Sequence, residues 1–264
     1  MRISGYLMAI ISIFAGAIGW LIRRTEIATV FDPISGLAER GAMITILLIV
    51  LSVAVTALLF GLSFTVPKGR NLSTFTNAFG GSLFITIPLT LLGLVVLVLT
   101  GLEALSLLPD GMDGFAAVRL GGAALSGLCL MLTAVLGHRG INVALPATVP
   151  VFWLCAWLIV SHIDRAADPV LLGYVYNLFT KAALLLALYY IAGYAFRQHR
   201  PGRLMFASST AIFFTGVTMG DNLDLYTRGT FLALAATVLI YQIALTKNLN
   251  YNDWKDIPYM ERDM

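Results

Sequence analysis

The chain has 264 residues, 59% of them hydrophobic and only 12% charged, with a net charge of +3. Its mean hydropathy is +0.87. Soluble domains carry about 25% charged residues, so the composition excludes soluble, disordered and fibrous classes. The two cysteines, Cys129 and Cys155, lie inside apolar runs. There they read as small hydrophobes rather than as a disulfide framework. The expected fold class is an all-α, polytopic integral membrane protein.

A helix needs about 20 predominantly apolar residues to cross the hydrocarbon core. Eight segments fit: 5–22, 41–63, 82–107, 116–137, 145–161, 170–196, 204–219 and 229–246. Transmembrane β-strands are shorter and alternate in polarity, so the continuous runs favour helices. The first run is read as a helix and not as a signal peptide. Met1-Arg2 is a thin basic start, and Arg23-Arg24 does not resemble a small-residue cleavage site. The expected organisation is one transmembrane domain over 1–246 and a short polar cytoplasmic tail over 247–264.

Orientation follows from Lys and Arg in the short loops. With the N-terminus inside, ten basic residues fall inside and six outside, the latter being Arg23, Arg24, Arg40, Arg119, Arg165 and Arg228. Both termini are therefore expected in the cytoplasm. The net charge then reflects this bias plus a basic loop, Arg197 to Arg203, suited to anionic lipid. No nucleic-acid partner is needed.

Two halves share landmarks. Trp20-Leu21-Ile22 ends the first segment and Trp157-Leu158-Ile159 the fifth; Asp32-Pro33 precedes the second and Asp168-Pro169 the sixth. Asp followed by Pro suits a helix start. These coincidences suggest a parallel four-plus-four repeat, with units 1–140 and 141–246. Leu-rich helices also align by chance.

Ionisable groups inside membrane helices are functional candidates by default. Lys181 lies about eleven residues, or ~16 Å, into the sixth segment. Asn177 and Tyr174 precede it at helical spacing and share its face. Glu103 lies near the outer end of the third segment. Lys181, Asn177, Tyr174 and Glu103 together form the candidate ligand site, an outward-facing polar vestibule for an anionic or zwitterionic solute. The competing reading has Lys181 snorkelling to the interface and pairing with Glu103. Glu39, Arg40, Arg119 and Arg228 lie near helix ends and read as interface anchors.

Other features have structural readings. Ser208, Ser209, Thr210, Thr215 and Thr218 in the seventh segment can bond across helices or to their own backbone. Gly121, Gly122 and Gly127 form a small-residue packing face. Gly80-Gly81 reads as a loop before the third segment. Pro88 should kink that segment and free the Phe84 carbonyl.

No catalytic constellation emerges. His138, His162 and His199 lie at helix ends or in loops, with no metal-ligand spacing between them. Ser126-Gly127 has no histidine at its depth. The expectation is a non-enzyme with no metal and no cofactor.

The segments VFWLCAWLIVSH, DPVLLGYVYNLF and LALYYIAGYAF, within Pro150 to Phe196, resemble an uncharacterised family of multi-pass membrane proteins from gut Firmicutes. The resemblance covers roughly the C-terminal half. It implies a bacterial plasma membrane and an eight-helix chain, and carries no site residues with it.

Two functions are weighed. One is a small-solute transporter or a membrane component of one. The other is a non-transporting sensor or scaffold, which binds a membrane-protein partner or a second copy through its Gly/Ala face. A carrier predicts a solvated polar cavity. A scaffold predicts a packed interior with the small-residue face outside. With no Asp and one Glu expected inside the membrane, proton coupling is disfavoured.

Overall fold

The computed structural model describes residues 4–32, 37, 39, 41–67, 72, 74–80, 82–109, 114–164 and 173–251. Among these the elements are helices: α1 (Ser4–Thr29), α2 (Met43–Ser63), α3 (Phe75–Phe79), α4 (Leu83–Leu107), α5 (Gly114–His138), α6 (Ala144–Asp164), α7 (Val175–Gly193), α8 (Pro201–Thr218) and α9 (Leu225–Tyr251). A 3₁₀ turn, Tyr194–Phe196, extends α7. The chain is a polytopic helical membrane protein by this measure: seven helices are long and apolar enough to cross a bilayer.

The long helix outside that set is α8. Its 18 residues span about 27 Å. It corresponds to the expected span 204–219, but with Pro201, Arg203 and five hydroxyl-bearing residues it is less apolar than the seven. It packs on α1, α7, α9 and α2. Ser208, Ser209 and Thr218 are fully buried, so hydroxyl-bearing residues replace Leu and Val there.

Successive long helices run in alternate directions. Glu26 near the end of α1 meets Thr45 at the start of α2, and Glu103 near the end of α4 meets Arg119 in α5. Gln242 of α9 donates to the Gly5 carbonyl at the start of α1. The beginning of α1 and the end of α9 therefore share one end of the bundle, here called proximal. The opposite end is distal.

Most boundaries fall within a few residues of the sequence expectation. The largest exceptions are α1 and α7 at the distal end and the proximal end of α9, which runs to Tyr251, five residues past the expected 246. α1 runs to Thr29, seven residues past the expected end at Ile22, so Arg23, Arg24 and Glu26 are helical and not in a loop. α7 begins at Val175, five residues later than expected. α4 continues through Pro88 as one helix. Pro33, Arg40, Gly81, Arg165, the Asp168-Pro169 pair and the tail beyond Tyr251 lie outside the described residues.

The short helix α3, absent from the sequence reading, closes the proximal end. Phe75 and Phe79 pack edge-on against Tyr241, and Phe79 against Tyr194, with centroids 4.9–6.0 Å apart. Asn248 donates to the Ala78 carbonyl at 2.8 Å.

Small residues set the closest crossings. A Cβ on Gly216 of α8 would sit 2.7 Å from the Gly16 Cα of α1. Gly93 of α4 and Gly127 of α5 face each other, each Cβ position under 3.0 Å from the other's carbonyl oxygen. Gly122 makes room for the Trp153 ring of α6. The small-residue face of α5 is thus used inside the chain, which removes most of it as an external docking surface. Gly121 has open space around it.

Two substitutions test this. Gly216→Ala should lower the unfolding midpoint in detergent by about 5 °C, since overpacking costs about 1–3 kcal/mol. Gly121→Ala should leave it level or raise it slightly, because Ala is the better helix former by about 1 kcal/mol. Equal effects of the two would refute the packing account.

The two halves are packed differently. α2 lies on α1 and α8, and α4 on α5 and α9, whereas α7 and α8 pack on each other.

Candidate distal polar site

Polar side chains gather at the distal end from the late turns of α1 and α4, the early turns of α5 and α7, and the α8–α9 connection. There, a cavity of about 330 Å³ opens between α4, α5, α6, α7 and the start of α9. Glu103, Arg119, Ser161, Asn177, Lys181 and Asp224 supply its polar wall.

Three of the four candidate residues, Lys181, Asn177 and Glu103, meet at this cavity. The fourth, Tyr174, is buried but does not line it. It sits at the N-cap of α7 with φ −134°, so it precedes the first helical turn and leaves the shared face. Lys181 lies six residues into α7, about 9 Å from its start, and not the ~16 Å expected from the longer segment.

Lys181 is 4% exposed. It does not snorkel outward. Its ammonium donates to the Ser161 hydroxyl at 2.5 Å. It also rests 4.6 Å from the Trp157 ring centroid and 5.9 Å from that of Phe231. Trp153, Trp157 and Phe231 stack in series, with centroids 5.1 Å apart at each step. The Trp153 indole N–H donates to the Arg119 carbonyl at 3.0 Å. Trp157 of this column lines the cavity, and its π-face stabilises the cation where water is scarce.

Glu103 pairs with Arg119 at 2.5 Å, both partly buried. Asp224 accepts the Thr227 N–H at 2.7 Å and caps the start of α9, where a carboxylate is favoured. The titratable groups on the cavity wall are two cations, Lys181 and Arg119, and two anions, Glu103 and Asp224. Arg119 is therefore part of this wall rather than a plain interface anchor.

A second cavity, of about 220 Å³, adjoins the first through Asn177 and Leu223, which line both. Its charged wall is Arg23 and Asp221. Arg23 is fully buried and Glu26 1% exposed. The Arg23 guanidinium donates to Asp221 at 2.6 Å and to Glu26 at 2.7 Å, and lies over the Tyr176 ring at 5.1 Å. The Thr45 hydroxyl donates to the other Glu26 oxygen at 2.7 Å. Arg228 donates to the Asp221 carbonyl at 3.2 Å.

The sequence reading missed this network and counted no Asp and one Glu inside the bundle. Glu26 and Asp221 correct that count. A signal was present: the buried stripe Ser12, Ala15, Gly16, Gly19, Arg23, Glu26 keeps three- to four-residue spacing past Ile22.

The hydroxyls of α8 divide. Thr218 bonds Thr180 across to α7 at 2.7 Å, and Ser209 accepts from Gln242 at 2.9 Å. Among the described residues, the buried Ser208, Thr210 and Thr215 oxygens have no hydrogen-bond partner. No group of three metal-ligating side chains occurs among the described residues. Comparison with protein-family models, with curated proteins and with solved structures finds no match to this chain.

Proposed function

We propose that the chain is a small-solute transporter, or the membrane component of one, seen with its binding site open at the distal end. The observation that carries this reading is the distal cavity with the buried Lys181 ammonium in its wall. Membrane proteins keep such groups where a solute or ion passes. Two cations and two anions on the wall favour a zwitterion over a bare anion. The closed proximal end, plugged by α3 and its aromatic contacts, suits one face of an alternating-access cycle.

In this reading α8 is an eighth span, the distal end faces outward from a bacterial plasma membrane, and both termini are cytoplasmic. The Asp-Pro and Trp-Leu-Ile coincidences speak for a parallel repeat. The unequal packing of the two halves speaks against it, and transport here does not depend on it. No cofactor and no catalytic role enter the proposal.

A second reading has one observation behind it. The column Trp153–Trp157–Phe231 stacks behind the cavity wall at Trp157, as suits a sensor that binds a solute without moving it. Proteoliposomes separate the two. A transporter should show counterflow of a labelled zwitterionic amino acid above that of protein-free vesicles. Binding without any counterflow would reject transport and leave the sensor.

A further inference from the structure

We infer that the groove between α6 and α7 at the proximal end, rimmed by Arg197, is a site for one anionic phospholipid. The groove has a volume of about 320 Å³ and is lined by Val151 and Phe152 of α6, Tyr189 and Ala192 of α7, and Phe196 and Gln198 beyond it. Phe152, Tyr189 and Phe196 are 74%, 53% and 54% exposed. The groove therefore opens sideways, where acyl chains run in a bilayer. Its apolar wall suits a chain, and its proximal rim lies at the level of a headgroup.

The rim carries the second observation. Arg197 follows Phe196 directly and takes a left-handed conformation, φ 58° and ψ 19°. The Gln198 N–H donates to the Gly193 carbonyl at 2.9 Å. This is the turn that ends many helices, and glycine normally fills its left-handed position because a Cβ is strained there. Arg197 is the one non-glycine residue with positive φ among the described residues. The backbone favours glycine, so the reason for arginine lies in its side chain. That side chain is exposed, as are Arg200 and Arg203.

The stretch from Arg197 to Arg203 contains no acid. No carboxylate pairs with these three arginines among the described residues. Arg197 lies between Phe196 and Gln198, which both line the groove, and its unmatched cation, with Arg200 and Arg203 following in the chain, is complementary to a phosphate with no compensating amine. Arginine is well suited to grip it through paired N–H donors.

Native mass spectrometry of the full chain in detergent tests this, with phosphatidylglycerol and phosphatidylcholine of matched chains. Wild type should retain phosphatidylglycerol about tenfold better. Arg197→Gly should bring that retention down to the phosphatidylcholine level. In lipid-free detergent the same variant should unfold about 2 °C higher, since the strained turn is relieved. Thr148→Trp, which fills the groove, should lower retention of both lipids. Equal retention of the two lipids by wild type would overturn the site, as would phosphatidylglycerol retention unchanged in Arg197→Gly or Thr148→Trp.

Discussion

An Arg23→Met variant is expected to unfold about 10 °C below wild type in detergent. Arg23 has no exposed surface and holds two buried carboxylates, Asp221 and Glu26. Removing a buried partner leaves uncompensated charge, at a cost of about 3–5 kcal/mol. For a chain of this size each kcal/mol lowers the midpoint by about 2–4 °C. The network joins α1 to the α8–α9 connection, and through Thr45 to α2, so its loss should loosen the distal end as a whole. The neutral triple variant Arg23→Met/Glu26→Gln/Asp221→Asn should recover most of the loss, because no charge then remains unpaired. A single variant within about 2 °C of wild type, or a triple variant as unstable as the single, would show that the charges do not act as a unit.

Lys181→Met is expected to split stability from function. Burying an ammonium is costly, and replacing such groups by apolar residues of similar size is often neutral or stabilising. Methionine fits the same channel and can lie on the Trp157 ring. The unfolding midpoint without ligand should therefore stay level or rise by a few degrees. Solute binding should fall by about 100-fold, since the variant removes the ammonium that donates to Ser161 beside the Trp157 ring. A midpoint drop of about 10 °C would instead make Lys181 a structural residue and take the cavity's main polar group out of the functional account.

Much of the membrane layout was legible in the sequence. Lipid-facing helices must be apolar along their length, so hydropathy locates them: seven of the eight expected spans correspond to such helices, with an end displaced by five residues or more only in α1, α7 and α9. α8 was legible only as a short apolar run with many hydroxyls, because a helix enclosed by α1, α7 and α9 is not required to satisfy lipid. The distal site was half legible. Lys181 and Asn177 share a face through local spacing alone, and Glu103 reached the same cavity through depth in the bilayer. Arg119 pairing with Glu103 instead of Lys181 depends on which helices neighbour α4. That is a tertiary choice, and the close Gly93–Gly127 crossing lies on the helix pair it selects.

The Arg23 network shows the opposite limit. A charge pair three residues apart looked like the end of a span, since an isolated helix would lose it to water. Asp221, 198 residues later, supplies the partner that keeps it inside. Local pattern gives no access to that distance. The α3 plug was hidden for a related reason: five residues are too few for any periodicity to register.

The most direct measurement is a thermal-shift series on the purified chain with zwitterionic amino acids, with wild type and Lys181→Met in parallel. A ligand at about 100 times its dissociation constant stabilises the folded state by about 2.7 kcal/mol. That corresponds to a rise of roughly 5–10 °C. The account predicts such a rise for at least one zwitterion in wild type and none in Lys181→Met. A series with no shift in wild type, or the same shift in both proteins, would contradict a solute site at Lys181.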